Sequence, residues 1–184
     1  MENRELSCCF TGYRPSKFPF DLDKSDKAYV DFENALFREI FSAYSCGVKT
    51  FISGMAMGFD IIAAETVLSL KRAKPDAKLV CAIPFKAQAE AFTEDWAKRY
   101  FDILKIADEV IYICESYNRG CYFKRNRYMV DNSDVVITWF DGHKGGTANT
   151  IDYAMRKGRK IINLNTITVI PRFKIKNYRV LKFK

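Results

Sequence analysis

The densest run of binding-type side chains in this 184-residue chain lies between Arg125 and Thr150. Arg125, Asn126 and Arg127 stand on an apolar-periodic segment that reads as a helix. Asp134 leads into Val135, Val136, Ile137, Thr138, Trp139 and Phe140, a β-branched and aromatic run predicted to be a buried strand. Asp141-Gly142 and Gly145-Gly146 then break the chain, and Thr147, Thr150, Ile151, Ala154 and Met155 resume at helical spacing. A glycine loop between the end of a strand and the start of a helix suits an anion. Its amide hydrogens are unpaired and the helix dipole favours negative charge there. The chemistry expected is recognition of a phosphate or carboxylate, with a guanidinium from Arg125 or Arg127 beside it. Two residues apart on a helix, these arginines diverge by about 200°, so one is expected to face the pocket and the other a salt bridge or solvent.

Two further turns carry similar residue types. Gly12-Tyr13-Arg14-Pro15 follows a predicted strand, Leu6–Thr11, and Pro15 holds Arg14 extended, where it can close over a pocket. Lys49–Ser53 is a second predicted strand, followed by Gly54-Met55-Ala56-Met57-Gly58-Phe59-Asp60 and a helix running to about Lys74 before Pro75. This second loop has neither the Gly-Lys-Ser/Thr ending of a phosphate-cradling P-loop nor the Gly-x-Gly-x-x-Gly dinucleotide fingerprint. Gly54 and Gly58 therefore admit two readings: approach to a sugar or second phosphate, or a tight turn with close helix–strand packing. Asp60 likewise either caps its helix or holds ribose hydroxyls.

The elements that must position these loops alternate along the chain. A helix from Ser25 or Asp26 buries Tyr29, Phe32, Leu36, Ile40 and Ala43 and stops at Gly47. Ala77–Ile83 is a third strand, and Gln88 to about Ala107 a helix with Ala89, Phe92, Trp96, Ile103 and Ala107 on one side, Trp96 being expected in the core. Glu109–Cys114 and Lys160–Leu164 are the remaining strands, and Gly158 ends the last helix. Strand–helix alternation predicts an α/β, doubly wound, mostly parallel sheet with helices on both faces. Ligands in such sheets lie outside the carboxyl ends of the strands. All three turns fall there, which is stronger than any one glycine loop. Residues 166–184, where Phe173 and Ile175 alternate with charge, read as a basic edge strand or hairpin added to a domain spanning 1–165.

Bulk properties exclude several classes. No apolar run approaches membrane-spanning length, and MENRELSCCF lacks the shape of a signal peptide. The six cysteines show no metal-ligand spacing and are expected as free thiols in a reducing cytoplasm. The net charge of +8 is uneven: Arg172, Lys174, Lys176, Arg179, Lys182 and Lys184 lie in the last 14 residues without an acid, leaving 24 basic against 22 acidic side chains elsewhere. A nucleic-acid partner would therefore work through the tail, and the body is nearly neutral. The lone histidine, His143, has no recognisable partner in the sequence, so no Ser/His/Asp arrangement is expected. Aromatic-rich helices can supply a homodimer face.

In combination, Thr11-Gly12-Tyr13-Arg14-Pro15, Phe51 to Asp60, Gln88, Trp96, Arg125 to Asp131, Asp141-Gly142 and Gly145-Gly146-Thr147 resemble the SLOG superfamily, in its YpsA-like branch, over about residues 6–164. The resemblance implies a Rossmann-like fold with a nucleotide or nucleotide-derived ligand at the strand carboxyl ends: a nucleoside monophosphate, ADP-ribose or a dinucleotide. No cofactor is required. The ligand-binding set it implies is Gly12, Tyr13, Arg14, Ser53, Gly54, Met55, Gly58, Asp60, Arg125, Arg127, Asp141, Gly145, Gly146, Thr147 and Asn149. Related branches act differently. LOG enzymes remove the base from a nucleoside monophosphate, and DprA-like proteins bind single-stranded DNA. Arg125, Met129 and Ser133-Asp134 fit the LOG pattern, but Asn149 stands where that family has a catalytic glutamate. An amide cannot transfer the proton or stabilise an oxocarbenium-like state by charge. Binding, as a sensor or regulator, is therefore the leading expectation and N-glycoside hydrolysis the second, with Asp60, Asp131, Asp141 and Asp152 as the carboxylates left for it.

Overall fold

A computed structural model describes residues 5–165; the basic segment 166–184 and its expected edge strand or hairpin lie outside the described residues. Six strands form one sheet: β1 (Leu6–Thr11), β2 (Val48–Ser53), β3 (Lys78–Ile83), β4 (Glu109–Tyr112), β5 (Val135–Thr138) and β6 (Lys160–Asn163). Their order is β4-β3-β2-β1-β5-β6, and all five pairings are parallel. Parallel neighbours need crossover helices, and the chain supplies α1 (Lys27–Ser45), α2 (Phe59–Ala73), α3 (Glu94–Ile106), α4 (Cys121–Asp131) and α5 (Gly146–Arg156).

The period-2 alternation of each strand sends its side chains to two cores. Cys8, Phe10, Phe51, Leu79, Cys81 and Ile137 meet the apolar stripes of α1, α2 and α3. Cys9, Ile52, Val80, Ala82 and Val136 meet Met129 and Val130 of α4 and Ala154 of α5. Burying a large side chain such as Phe10, Phe51 or Leu36 contributes roughly 1.5–3 kcal/mol. Winding runs outward from β1 through β4, then returns to β5 on the other side of β1. The two flanking loops, after β1 and after β5, therefore splay apart at the sheet's carboxyl edge. That switch point is where this class of sheet forms its crevice.

The observed elements depart from expectation in two places. The continuous helix expected over 88–107 is broken: a 3₁₀ turn covers Lys86–Ala91, Thr93 is extended, and α3 starts at Glu94. The break turns Gln88 inward, where its amide donates to Met55 O at 3.0 Å, a contact a straight helix would not make. The strand expected through Phe140 ends at Thr138, because β1 and β6 end level with it, at Thr11 and Asn163. The Asn163 side chain then ties down Phe140, accepting from its N–H at 3.1 Å and donating to its carbonyl at 2.8 Å. Among the described residues no helix is long and apolar enough to cross a membrane.

The loops after β1 and β2 are pressed together. Phe59 N–H donates to Tyr13 O at 3.1 Å, and a Cβ on Gly58 (φ 90°) would sit 2.4 Å from that same oxygen. The obstacle is backbone, so it cannot swing away. Gly58→Ala is expected to destabilise the protein by about 2 kcal/mol through the positive φ and the clash together. Urea unfolding of the variant measures this; a midpoint unchanged from the parent would contradict the packing.

Candidate functional site

Three loops meet at the carboxyl edge as expected, but they differ in what their glycines face. A Cβ on Gly12 would lie 2.3 Å from the Phe59 ring, and one on Gly54 would lie 1.7 Å from Arg125 Nη1. Gly12, Gly54 and Gly58 are crowded by the protein itself. Of the two readings open for Gly54 and Gly58, the structure shows close packing. A Cβ on Gly146, by contrast, would meet nothing within 4 Å. The backbone approachable from outside is therefore at the start of α5. That helix begins at Gly146 behind Gly145 as its N-cap, with no side-chain cap and no acid in its first turn, so its first amides are left to an external acceptor.

The Ser53–Asp60 loop is an internal network. Met55 adopts a left-handed conformation (φ 55°) that a non-glycine residue holds only when its surroundings demand it. Ser53 Oγ accepts from Met55 N–H at 3.1 Å and donates to Asp60 O at 2.8 Å. Arg125, 4% exposed, reaches in from α4, donates to Gly54 O, and lies 3.4 Å from Asp60 Oδ2. Burial pushes the Asp60 carboxyl above its ordinary value while Arg125 pulls it back. Burial lowers the guanidinium, and Asp60 opposes that. Asp60 Oδ2 also accepts from Ala56 N–H at 3.4 Å. Ser53, Gly54, Met55, Gly58, Asp60 and Arg125 are thus the wall behind the crevice rather than its open surface.

The divergence expected of the two arginines is present: Arg125 points into the wall and Arg127 outward. Arg127 lies over Phe123 and Tyr153, its guanidinium 4.2 and 5.0 Å from their ring centroids. There a cavity of about 200 Å³ opens between α4 and α5, and Gly146 and Asn149 line it together with Arg127. Tyr122, Phe123 and Tyr153 form its aromatic wall. Asn126 Nδ2 donates to Thr150 Oγ1 at 2.9 Å and joins the two helices at its floor. Sequence reading missed the aromatic members. The signal was present in the spacing, since Phe123 and Arg127, like Asn149 and Tyr153, are four apart on one helix face.

On the other flank, Thr147 Oγ1 donates to Gly12 O at 3.1 Å, bridging the start of α5 to the first turn. Tyr13 OH donates to Asp141, which also accepts from the His143 backbone N–H at 3.0 Å and lies 2.8 Å from His143 Nδ1. The histidine thus has a partner the sequence did not reveal, in a side chain left 76% exposed. Burial and the Asp141 carboxylate push the Tyr13 hydroxyl up to about 12. Burial raises the Asp141 carboxyl, but hydrogen bonds from Tyr13 and His143 outweigh it and hold it below the ordinary range. Cations rim this flank. Lys17 Nζ would lie 3.9 Å from a Cβ on Gly145, and the charge on Arg14 reaches both Asp60 and Arg125. Lys17, at the end of a 3₁₀ turn over Pro15–Lys17, was also missed from sequence, because no local pattern places that turn against the start of α5.

Several buried polar atoms at this edge have no hydrogen-bond partner: Gln88 Oε1, Arg125 Nε, Thr138 Oγ1 and Trp139 Nε1. Such atoms are uncommon in folded proteins. Of the carboxylates considered for proton transfer, Asp60 is held by Arg125, Asp131 lies 2.9 Å from Lys157 Nζ, and Asp141 is shared by Tyr13 and His143. Asp152 is exposed on α5. Among the described residues no group of His, Cys, Asp and Glu could hold a metal ion.

Comparison with known proteins agrees with this architecture. The chain is similar to two DNA processing protein A (DprA) structures. One, from Helicobacter pylori, is described for its single-stranded DNA binding mode (TM-score 0.58, 19% identity, 86% of this chain and 65% of that one). The other is from Streptococcus pneumoniae (TM-score 0.57, 18% identity, 86% of this chain and 50% of that one). The chain thus spans two thirds or less of either neighbour, and at these identities the likeness is one of fold. It is 34% identical over 118 residues to the SPbeta prophage-derived protein YoqJ of Bacillus subtilis (strain 168), covering 58% of this chain and 69% of that protein. It is 30% identical over 163 residues to a UPF0398 protein of Bacillus thuringiensis (strain Al Hakam), covering 87% and 88%. A model of the YspA SLOG family matches residues 8–172, and with the parallel sheet and its carboxyl-edge loops in place, the chain belongs to that family.

Proposed function

We propose that the protein binds a nucleotide or nucleotide-derived ligand at the carboxyl edge, as a sensor or regulatory protein in the cytoplasm, where free thiols such as Cys8 and Cys9 persist. The phosphate rests on the amides of Gly145, Gly146 and Thr147, and Arg127 stands beside it. The observation that carries this reading is the contrast among glycines: Gly12, Gly54 and Gly58 meet protein atoms, and Gly146 meets none. An uncapped helix start with unpaired amides and a positive dipole end then faces outward beside a guanidinium. Asn149, an amide lining the α4–α5 cavity, favours binding over hydrolysis.

A thermal-shift panel of AMP, NAD, ADP-ribose and cyclic nucleotides tests this. A ligand that binds only the folded state raises the melting temperature at saturating concentration. Arg127→Ala is expected to weaken that ligand about tenfold through loss of one charge-assisted contact. Its melting temperature without ligand should stay near the parent's, because the side chain is exposed. An unchanged affinity would remove Arg127 from the site. Release of free base from AMP would instead establish the N-glycoside hydrolase alternative.

A second reading is single-stranded nucleic acid, the ligand named for the Helicobacter pylori neighbour. It gains support from α4, where Phe123 is 49% exposed beside Arg127, since stacked bases need open aromatic faces next to cations. Steep loss of oligonucleotide affinity with salt would mark this mode.

A further inference from the structure

A larger groove lies on the α1 flank of the switch point. Its volume is about 600 Å³, against about 200 Å³ for the cavity between α4 and α5. Trp139, Phe20 and Phe32 give it an aromatic wall, Ala28 and Ala35 keep α1 low along it, and Lys17 stands on its rim. The rings pack edge to face, Trp139 being 5.1 Å from Phe32 and 5.5 Å from Phe20 between centroids. Ala28 and Ala35, small side chains on α1, leave the groove open beside these packed rings.

Two polar features set what the groove can hold. Trp139 is 8% exposed, and its indole Nε1 has no hydrogen-bond partner. A buried N–H without an acceptor carries a desolvation cost that a ligand oxygen would relieve. The charges on the rim are unequal. Asp31 is occupied by Lys27 at 2.5 Å, and Asp141 is shared by Tyr13 and His143. Lys17 Nζ lies 5.9 Å from the Tyr13 ring centroid, facing the groove's mouth with no carboxylate partner among the described residues.

We infer that this groove is a binding site, adjoining the nucleotide site at Lys17 but with its own aromatic wall, for a small amphiphilic acid: a flat apolar body against Trp139, Phe20 and Phe32, an oxygen accepting from Trp139 Nε1, and an acidic head at Lys17. An uncharged apolar compound would leave the indole N–H and the ammonium unused.

The test uses the full chain carrying Trp96→Phe, so that Trp139 is the only tryptophan, and titrates it with the aromatic sulfonate 8-anilinonaphthalene-1-sulfonate. Saturable quenching of Trp139 emission is expected. Ala35→Phe, which occupies the groove from α1 without deleting any core atom, should weaken binding about tenfold or more, as loss of shape fit in an apolar pocket does. Lys17→Ala should weaken it about fivefold, the scale of one lost charge-assisted contact. Ala28→Phe, at an exposed position on the same rim, serves as the second variant where Ala35→Phe fails to fold. Excess AMP should weaken probe binding no more than Lys17→Ala does, because Lys17 is the cation the two sites share. Absence of saturable quenching, affinity indifferent to Ala35→Phe and Lys17→Ala, or complete displacement of the probe by AMP would each overturn the inference.

Discussion

Arg125→Ala is expected to cost about 3–5 kcal/mol of folding stability, the range for removing one partner of a buried ion pair. The guanidinium is 4% exposed, and three groups depend on it. Asp60 would remain 5% exposed with its charge uncompensated. Gly54 O would keep only the 3.4 Å contact from Gln88 Nε2, and the positive φ of Met55 would lose the donor that braces the carbonyl before it. Urea unfolding measures the loss. The variant also carries a signed pH dependence. Burial already raises Asp60 above 3.8, and Arg125 is the strongest influence lowering it. Without Arg125 the folded-state value rises further. Between the unfolded value and that raised one the native state binds more protons than the unfolded state, so stability falls as pH rises through the window. Arg125→Ala should therefore be less damaging at pH 5 than at pH 7. Arg125→Met with Asp60→Asn, which removes both charges, should recover part of the loss at pH 7. A deficit equal at the two pH values would show that Asp60 is not the group left exposed to the penalty.

Gly146→Asp should leave the protein folded and lower affinity for a phosphate-bearing ligand on the order of 100-fold, since a like charge facing an anion costs several kcal/mol. The position separates stability from binding. A Cβ there meets nothing within 4 Å, and Gly146 already has a helical conformation at the first position of α5. A carboxylate in the first turn of a helix is mildly stabilising by its interaction with the dipole, a few tenths of a kcal/mol. The melting temperature without ligand is therefore expected to hold or rise, while the ligand-induced shift disappears. Gly146→Ala, which adds a Cβ without charge, should bind nearly as the parent does. Equal affinity in Gly146→Asp and the parent would move the phosphate away from α5. Equal loss in Gly146→Ala and Gly146→Asp would point to backbone shape rather than charge as the determinant.

Much of the molecule was written in local pattern. A continuous β-branched and aromatic run placed Ile137 in a buried strand, and the 3.6-residue spacing of Tyr29, Phe32, Leu36, Ile40 and Ala43 defined α1. Strand–helix alternation then determined a parallel sheet, because parallel neighbours cannot be joined by tight turns. From there the three loops had to share one edge. These properties follow from backbone geometry and burial within a few residues of each position, which a sequence displays directly. The break before α3 escaped because Ala89, Phe92 and Trp96 fit a helical stripe as well as they fit the core contacts they make, and only the inward pull on Gln88 distinguishes the two.

The division of labour at the site was decided by tertiary structure. Three glycine-bearing loops look alike as strings of residues. They separate once Arg125 is seen to fill the space beside Gly54 from 71 residues away, and Phe59 the space beside Gly12. The same is true of the Trp139 groove, whose walls come from the β1 turn, α1 and the ends of β5 and β6. Contacts at such separations depend on the order in which strands are laid beside one another. A local period records which face of an element is buried, but not what stands opposite it. That the three loops converge at the carboxyl edge was therefore legible from the chain. Which glycine is open, which arginine is a wall and which faces outward had to await the fold.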